Sequence, residues 1–137
     1  MEYIKSMRKN IGNERLLLAG SSVIIYKNGK VFLQKRRDNE LWGNHGGCVE
    51  IGETVEETAR RELLEETGLV ANKLELFNVY SGKDMLYTYP NGDEVKIDPA
   101  EVAELQWFDV NEIPEISPPL RRVFADFVEF VKKRDGV

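Results

Sequence analysis

Aliphatic and β-branched residues crowd RLLLAGSSVIIYK, Arg15 to Lys27, and the run predicts a strand. Asn28-Gly29 follows, two residues that tolerate the positive φ of a tight turn, so KVFLQKRR, Lys30 to Arg37, should return as the second arm of a hairpin. DNELWGNHGG reads as a loop closing on two glycines. The period then changes. ETVEETARRELLEETG has helix composition, with Thr54 as N-cap, Glu57 at the capping-box position and Gly68 as the stop. LELFNVYSG and MLYTYP predict further strands, NGDE (Asn91 to Glu94) a second hairpin turn, and ELQWFDV one more strand. Leu120, Phe124, Phe127, Val128 and Val131 recur at helical spacing, which predicts a last helix over Pro118 to Arg134. Met1 to Asn13 form a polar lead-in compatible with a helix. No repeat, low-complexity tract or linker interrupts the order, so residues 1–137 read as a single domain of the α+β class.

On a wheel of about 100° per residue, the buried stripe of the first long helix holds Val55, Ala59 and Leu63. Glu62 and Glu66 fall inside or beside that stripe and Glu65 follows at its edge, whereas Glu56, Glu57, Arg60 and Arg61 point elsewhere. Glu56–Arg60 and Glu57–Arg61 have the i, i+4 spacing of surface ion pairs. Glu62, Glu65 and Glu66 have no such account. Three carboxylates at i, i+3 and i+4 repel one another, and burying any of them unpaired is costly. Two arrangements relieve the conflict: arginines from elsewhere in the fold, or a hard divalent cation such as Mg²⁺ or Mn²⁺, which takes oxygen ligands and also binds phosphate. Spacing alone leaves both open.

Charge sharpens this picture. The chain carries 19 basic and 24 acidic residues, a net charge of −5, yet seven glutamates lie between Glu50 and Glu66 alone. The remainder is slightly basic, so the acidity is local. Such a balance argues against a partner that is a nucleic-acid polymer, which calls for a basic face. A single cysteine, Cys48, excludes an intramolecular disulfide and a Cys-based zinc site; a single histidine, His45, excludes a His-rich one and is expected to be solvated in its loop. Neither a signal-peptide run nor a stretch of membrane-spanning length is present, so a soluble, cytoplasmic protein is expected, with no membrane partner.

The fixed positions carry further information. Gly47, five residues, Glu53, seven residues, Arg61-Glu62-Leu63, one residue, Glu65-Glu66, one residue, Gly68-Leu69: this resembles the Nudix box in full, with Leu at both aliphatic positions. The preceding hairpin, LWG leading into the double glycine, and ELQWFDVNEIP resemble the same family, so the likeness spans most of the chain. It implies a Nudix fold, an α/β/α sandwich around a mixed β-sheet. It also implies Mg²⁺-dependent hydrolysis, Mn²⁺ being an alternative, of a nucleoside diphosphate linked to another moiety. ADP-ribose, nucleotide sugars, dinucleoside polyphosphates and nucleoside triphosphates are all open.

By motif position the resemblance implies Glu62, Glu65 and Glu66 as metal ligands, with a backbone carbonyl from Gly46. Arg61 would orient the glutamates and Glu53 would anchor the loop to the helix. The family often draws a further glutamate from outside the box as base or ligand; Glu101 is the candidate, Glu104 the second. Arg36 and Arg37, with Lys35, could reach substrate phosphate, and Tyr87, with Tyr80 and Tyr89, could stack on a base. A basic edge strand and packing tyrosines explain the same residues without a substrate. Relatives commonly dimerise, which leaves a homodimer open.

Two departures from the family pattern stand out. Asn44-His45-Gly46-Gly47 replaces the usual LPGG or FPGG, and YPNGDEV runs into KIDPAEVAELQWF where relatives carry a further strand and loop. A segment absent near Val95–Lys96 would leave neighbouring strands without backbone partners. Both departures keep a second reading in view, a Nudix-fold module that binds or senses a nucleotide without cutting it.

Overall fold

The computed structural model describes residues 2–37, 39–85 and 102–137. In chain order the elements are α1 (Glu2–Ile11), β1 (Gly20–Val23), β2 (Ile25–Lys27), β3 (Lys30–Arg36), β4 (Trp42–Gly43) and β5 (His45–Cys48). Then come α2 (Val55–Thr67), a 3₁₀ turn (Lys83–Met85), β6 (Val102–Asp109), a second 3₁₀ turn (Pro118–Leu120) and α3 (Arg121–Asp135). Helices mixed with antiparallel strands make this an α+β chain, as the sequence order predicts. Among the described residues every ladder is antiparallel, and a single parallel bridge joins Trp42 to Ile116. The described residues fall into two compact units.

The first unit takes in described residues of 2–23 and 45–74. β1 and β5 pair antiparallel, with Gly20 opposite Cys48 and Val23 opposite His45, and the Val49 N–H carries the ladder on to the Ala19 carbonyl at 2.9 Å. The ends of α2 follow from its sequence. The Thr54 hydroxyl accepts from the Glu57 N–H at 3.1 Å, and the Gly68 N–H closes the last turn on the Leu64 carbonyl at 2.9 Å. Thr58, Ala59, Glu62 and Leu63 are its buried residues. Val55, expected within that stripe, stays 58% exposed, so the stripe begins one turn later than the wheel places it.

The second unit takes in described residues of 24–44, 75–85 and 102–137. β2 and β3 form the predicted hairpin, with Asn28 at φ 50° and Gly29 at φ 79°, the positive values that its two-residue turn demands. β3 is the hub: it pairs with β2, β4 and β6, and β6 runs along its whole length from Lys30 opposite Asp109 to Arg36 opposite Val102. Val31 and Leu33, fully buried on one face of β3, join Val110, Ile116, Phe124, Phe127 and Val131 in one apolar cluster. Each such side chain contributes about 1.5–3 kcal/mol by leaving water. Phe127 lies edge-on to Tyr26 at 5.6 Å and to Phe77 at 5.4 Å between ring centres.

Four expectations need correction. The run from Arg15 to Lys27 is not one strand: it breaks at Ile24, and β1 and β2 join different sheets. Apolar residues on both faces of a run say nothing about which sheet each half will enter. DNELWGNHGG is not all loop either, because β4 and β5 lie within it; glycine main chain pairs as well as any other. LELFNVYSG forms no ladder over Leu74–Ser81. Its sheltered positions, Leu74, Phe77 and Tyr80, recur every third residue while Leu76 and Val79 are 84% and 76% exposed, a period that a pleated strand cannot give. His45, expected in solvent, is fully buried, because it opens a strand rather than sitting in a loop. MLYTYP beyond Met85, the NGDE turn and the Val95–Lys96 junction lie outside the described residues. Among those described, no helix is long and apolar enough to cross a membrane.

Candidate functional site

The first unit gathers its carboxylates where α2 crosses the glycines of β5. Glu62, one of the four buried residues of α2, is 4% exposed, and its carboxylate lies directly against Gly47; a Cβ on Gly47 would collide with it. Gly46 is as tightly set, since a Cβ there would strike the Ser21 carbonyl and the Ser22 side chain. Its N–H donates to Glu66 Oε2 at 3.0 Å. Gly46 is therefore a spatial requirement set by the main chain of β1, whereas a side chain at Gly47 would have to displace the Glu62 carboxylate.

Arg61 organises the cluster. Its guanidinium donates to both oxygens of Glu53, at 2.7 and 2.9 Å, to Glu62 Oε1 at 2.8 Å and to the Cys48 carbonyl at 3.3 Å. Glu65 Oε2 stands 3.5 Å away. Spacing alone pairs Arg61 with Glu57 along the helix; the structure turns it to Glu53 instead, and Arg60 donates to the Ala71 carbonyl. The buried Thr58 hydroxyl adds a bond of 2.6 Å to Glu53. Arg61, and next Thr58, draw the Glu53 carboxyl down from 4.5 to about 2, and Glu53 raises Arg61 in return. Glu62 moves the other way. Burial pushes its carboxyl up, against the pull of Arg61. Burial, with Glu62 next, also raises the Cys48 thiol, which makes a thiolate nucleophile unfavourable there.

One guanidinium thus serves Glu53, Glu62 and Glu65, and Glu53 takes most of it. Among the described residues no three His, Cys, Asp or Glu side chains converge closely enough to hold a metal ion as they stand. The chemistry of the donor set nevertheless fits a hard divalent cation. The oxygens are carboxylate and carbonyl, one of the carboxylates is desolvated, and glycine leaves open main chain beside them.

The remaining candidates are placed as follows. Arg36 ends β3 and Arg37 begins the turn after it, both in the second unit. Lys35 stands opposite Glu104 across the β3–β6 ladder. The Tyr80 hydroxyl donates to Asp126 at 2.8 Å and Arg122 covers its ring at 5.6 Å, so this tyrosine is engaged in packing. Glu101, Tyr87 and Tyr89 lie outside the described residues. The sequence reading overlooked Thr58 and Glu50. Thr58 lies five residues after Glu53 and on the buried side of the wheel, a signal that was there to be read. Glu50 bonds to Tyr3, 47 residues away, and no local spacing reveals that.

Comparison with known proteins bears on the same residues. The model of the NUDIX domain matches residues 17–127. An ADP-ribose pyrophosphatase of Methanocaldococcus jannaschii is 35% identical over 124 aligned residues, covering 78% of this chain and 70% of the relative. An oxidized purine nucleoside triphosphate hydrolase of Danio rerio is 36% identical over 103 residues, covering 67% and 66%. The crystal structure of a MutT NUDIX hydrolase from Burkholderia pseudomallei superposes with a TM-score of 0.66 at 24% identity, covering 81% of this chain and 98% of that one, which shows a shared fold.

Proposed function

Because this chain belongs to the Nudix family, and is a hydrolase of phosphoric anhydride bonds as such, we propose that it is a Mg²⁺-dependent enzyme that cuts a nucleoside diphosphate linked to a further group. The observation that supports the metal dependence is the crowding of carboxylates at α2: Glu62 is buried, and a single guanidinium is shared among Glu53, Glu62 and Glu65. Glu62, Glu65, Glu66 and the Gly46 carbonyl would hold the cation. Bound there, Mg²⁺ or Mn²⁺ supplies charge neutralisation at phosphate oxygens and lowers the pKa of water.

The chain's own groups have separable tasks in this reading. Glu53 fixes Arg61, and Arg61 holds Glu62 and steers Glu65. The Gly46 N–H orients Glu66. Burial of Glu62 excludes bulk water from one side of the cluster, where electrostatic stabilisation is worth most. Arg36 and Arg37 are assigned to substrate phosphate, Tyr87 to the base, and Glu101 to the role of proton acceptor. The substrate is a small nucleotide and the compartment the cytoplasm. The names of the two relatives suggest ADP-ribose and an oxidised purine nucleoside triphosphate as the first compounds to try. The archaeal match runs over more aligned positions than 78% of 137 residues can fill, so the alignment carries gaps on this chain's side.

Product release from a panel of ADP-ribose, a nucleotide sugar, a dinucleoside polyphosphate and an oxidised nucleoside triphosphate, with Mg²⁺ and with EDTA, tests the proposal. Turnover that requires the metal supports it, and the best compound names the substrate class. The second reading, binding without cleavage, draws on the Asn44-His45-Gly46-Gly47 departure from the family's usual loop. It predicts nucleotide affinity with no turnover of any compound.

A further inference from the structure

The first turn of α1 reaches the loop that leads into the carboxylate cluster. The Tyr3 N–H donates to Glu50 Oε2 at 3.0 Å. N–H groups at a helix start have no acceptor within the helix, and an anion is favoured there. One residue on, Ile4 is buried at 3% exposure. This charge-assisted hydrogen bond and the buried Ile4 side chain are among the contacts that seat this end of α1.

Glu50 is also built into the loop itself. Its N–H donates to Glu53 Oε1 at 3.2 Å, and its carbonyl accepts from the Glu53 N–H at 3.0 Å. Glu53 holds Arg61 with two bonds, and Arg61 holds Glu62. Hydrogen bonds thus run unbroken from the first turn of α1 to the buried glutamate. Each joint fixes the next, because Glu53 accepts from Glu50, Thr58 and Arg61 together and cannot swing without breaking several bonds.

We propose that Glu50 is a positioning residue for the metal site and that it works through α1: the seated helix fixes the Glu50–Glu53 turn, which sets Arg61 and so the approach of Glu62 and Glu65. This rests on the metal-dependent reading above and adds a remote brace to it. Groups that orient metal ligands commonly change affinity by about 10- to 100-fold when removed.

The test is Mn²⁺ binding to the metal-free protein, read by electron paramagnetic resonance, alongside kcat, KM and the thermal midpoint. Wild type is compared with Glu50→Ala, Glu50→Gln, Tyr3→Pro and Tyr3→Ala. Proline at position 3 removes the N–H and the ring and also disfavours the helical conformation of Glu2 before it; alanine removes the ring alone. Glu50→Ala and Tyr3→Pro should each weaken Mn²⁺ by about tenfold in folded protein and lower kcat more than they raise KM. Glu50→Gln, which keeps an acceptor for Tyr3, should recover most of that loss, and Tyr3→Ala should lose less than Tyr3→Pro. Glu50→Ala binding Mn²⁺ like wild type would overturn the proposal, as would a defect in Glu50→Ala that Tyr3→Pro does not share. Should Glu50→Ala fail to fold, the two Tyr3 variants decide the matter. A wild type that binds no Mn²⁺ sinks the metal reading and this proposal together; a wild type that binds and turns over while its variants match it sinks this proposal alone.

Discussion

α2 and α3 are of similar length, 13 and 15 residues, but only α2 buries polar side chains beside its apolar ones. α3 turns Val123, Phe124, Phe127 and Val131 inward, an apolar stripe that any stable domain would be content with. α2 buries Thr58, Ala59, Glu62 and Leu63, so a carboxylate occupies a place where a leucine would be less costly. Their ion pairs differ likewise. Asp135, at the end of α3, is held down to about 2 by Arg134 and then by Tyr26, in an exposed and self-sufficient group. At α2 one arginine faces three glutamates, and Glu62 is left raised. One helix is arranged for stability and the other gives some up, as the proposed metal site requires.

That contrast can be broken at several points. Phe127→Ala should have the largest effect on stability, about 3–5 kcal/mol in urea unfolding, because the side chain is buried among Tyr26, Phe77 and Phe130. The kcat of the folded fraction should stay at the wild-type value. Glu62→Leu should do the reverse: turnover is lost, while the metal-free protein keeps its stability to within about 1 kcal/mol, because removing a desolvated charge offsets the lost bond to Arg61, which Glu53 still holds. A larger loss of stability in Glu62→Leu would show that its bond to Arg61 outweighs its burial.

Much of this contrast was legible in the sequence. Thr54 and Gly68 bounded α2, and the wheel put Glu62 in the buried stripe, because caps and helical period are local properties. The partner of Arg61 was not legible in helical spacing. Glu57 and Glu53 are both within reach by sequence, and only the fold of the loop brings Glu53 to the guanidinium. Nor could the period separate β1 from β2, since the choice between two sheets depends on β5 and β3, which arrive later in the chain. Burial of His45 was hidden for the same reason, as β5 exists only through its pairing with β1. Residues 74–81 misled because β-branched and aromatic content suggested a ladder, whereas their burial repeats every third position.

Acid titration offers a smaller effect. Glu53 is depressed from 4.5 to about 2, so its contribution to stability is present above pH 4.5 and is lost as pH falls toward 2. Unfolding of wild type should steepen over that window, and Glu53→Gln should flatten the curve; the raised Glu62 works in the opposite sense, becoming less unfavourable as it takes up a proton. A Glu53→Gln curve parallel to wild type below pH 4.5 would show that Arg61 finds another acceptor. The smallest effect is expected at the exposed end of α3, where Tyr26→Phe removes the 2.7 Å bond to Asp135 and should move the thermal midpoint by less than about 3 °C.

The most direct test of the account is Glu66→Gln, with Mg²⁺-dependent turnover and the unfolding midpoint measured on the same preparation. Glu66 is bonded to the Gly46 N–H and lies within the proposed metal set. A glutamine keeps an acceptor for that N–H and removes the charge. The account predicts that turnover falls by about 100-fold or more while the midpoint holds. Turnover that survives, or that falls only in step with the midpoint, would contradict it.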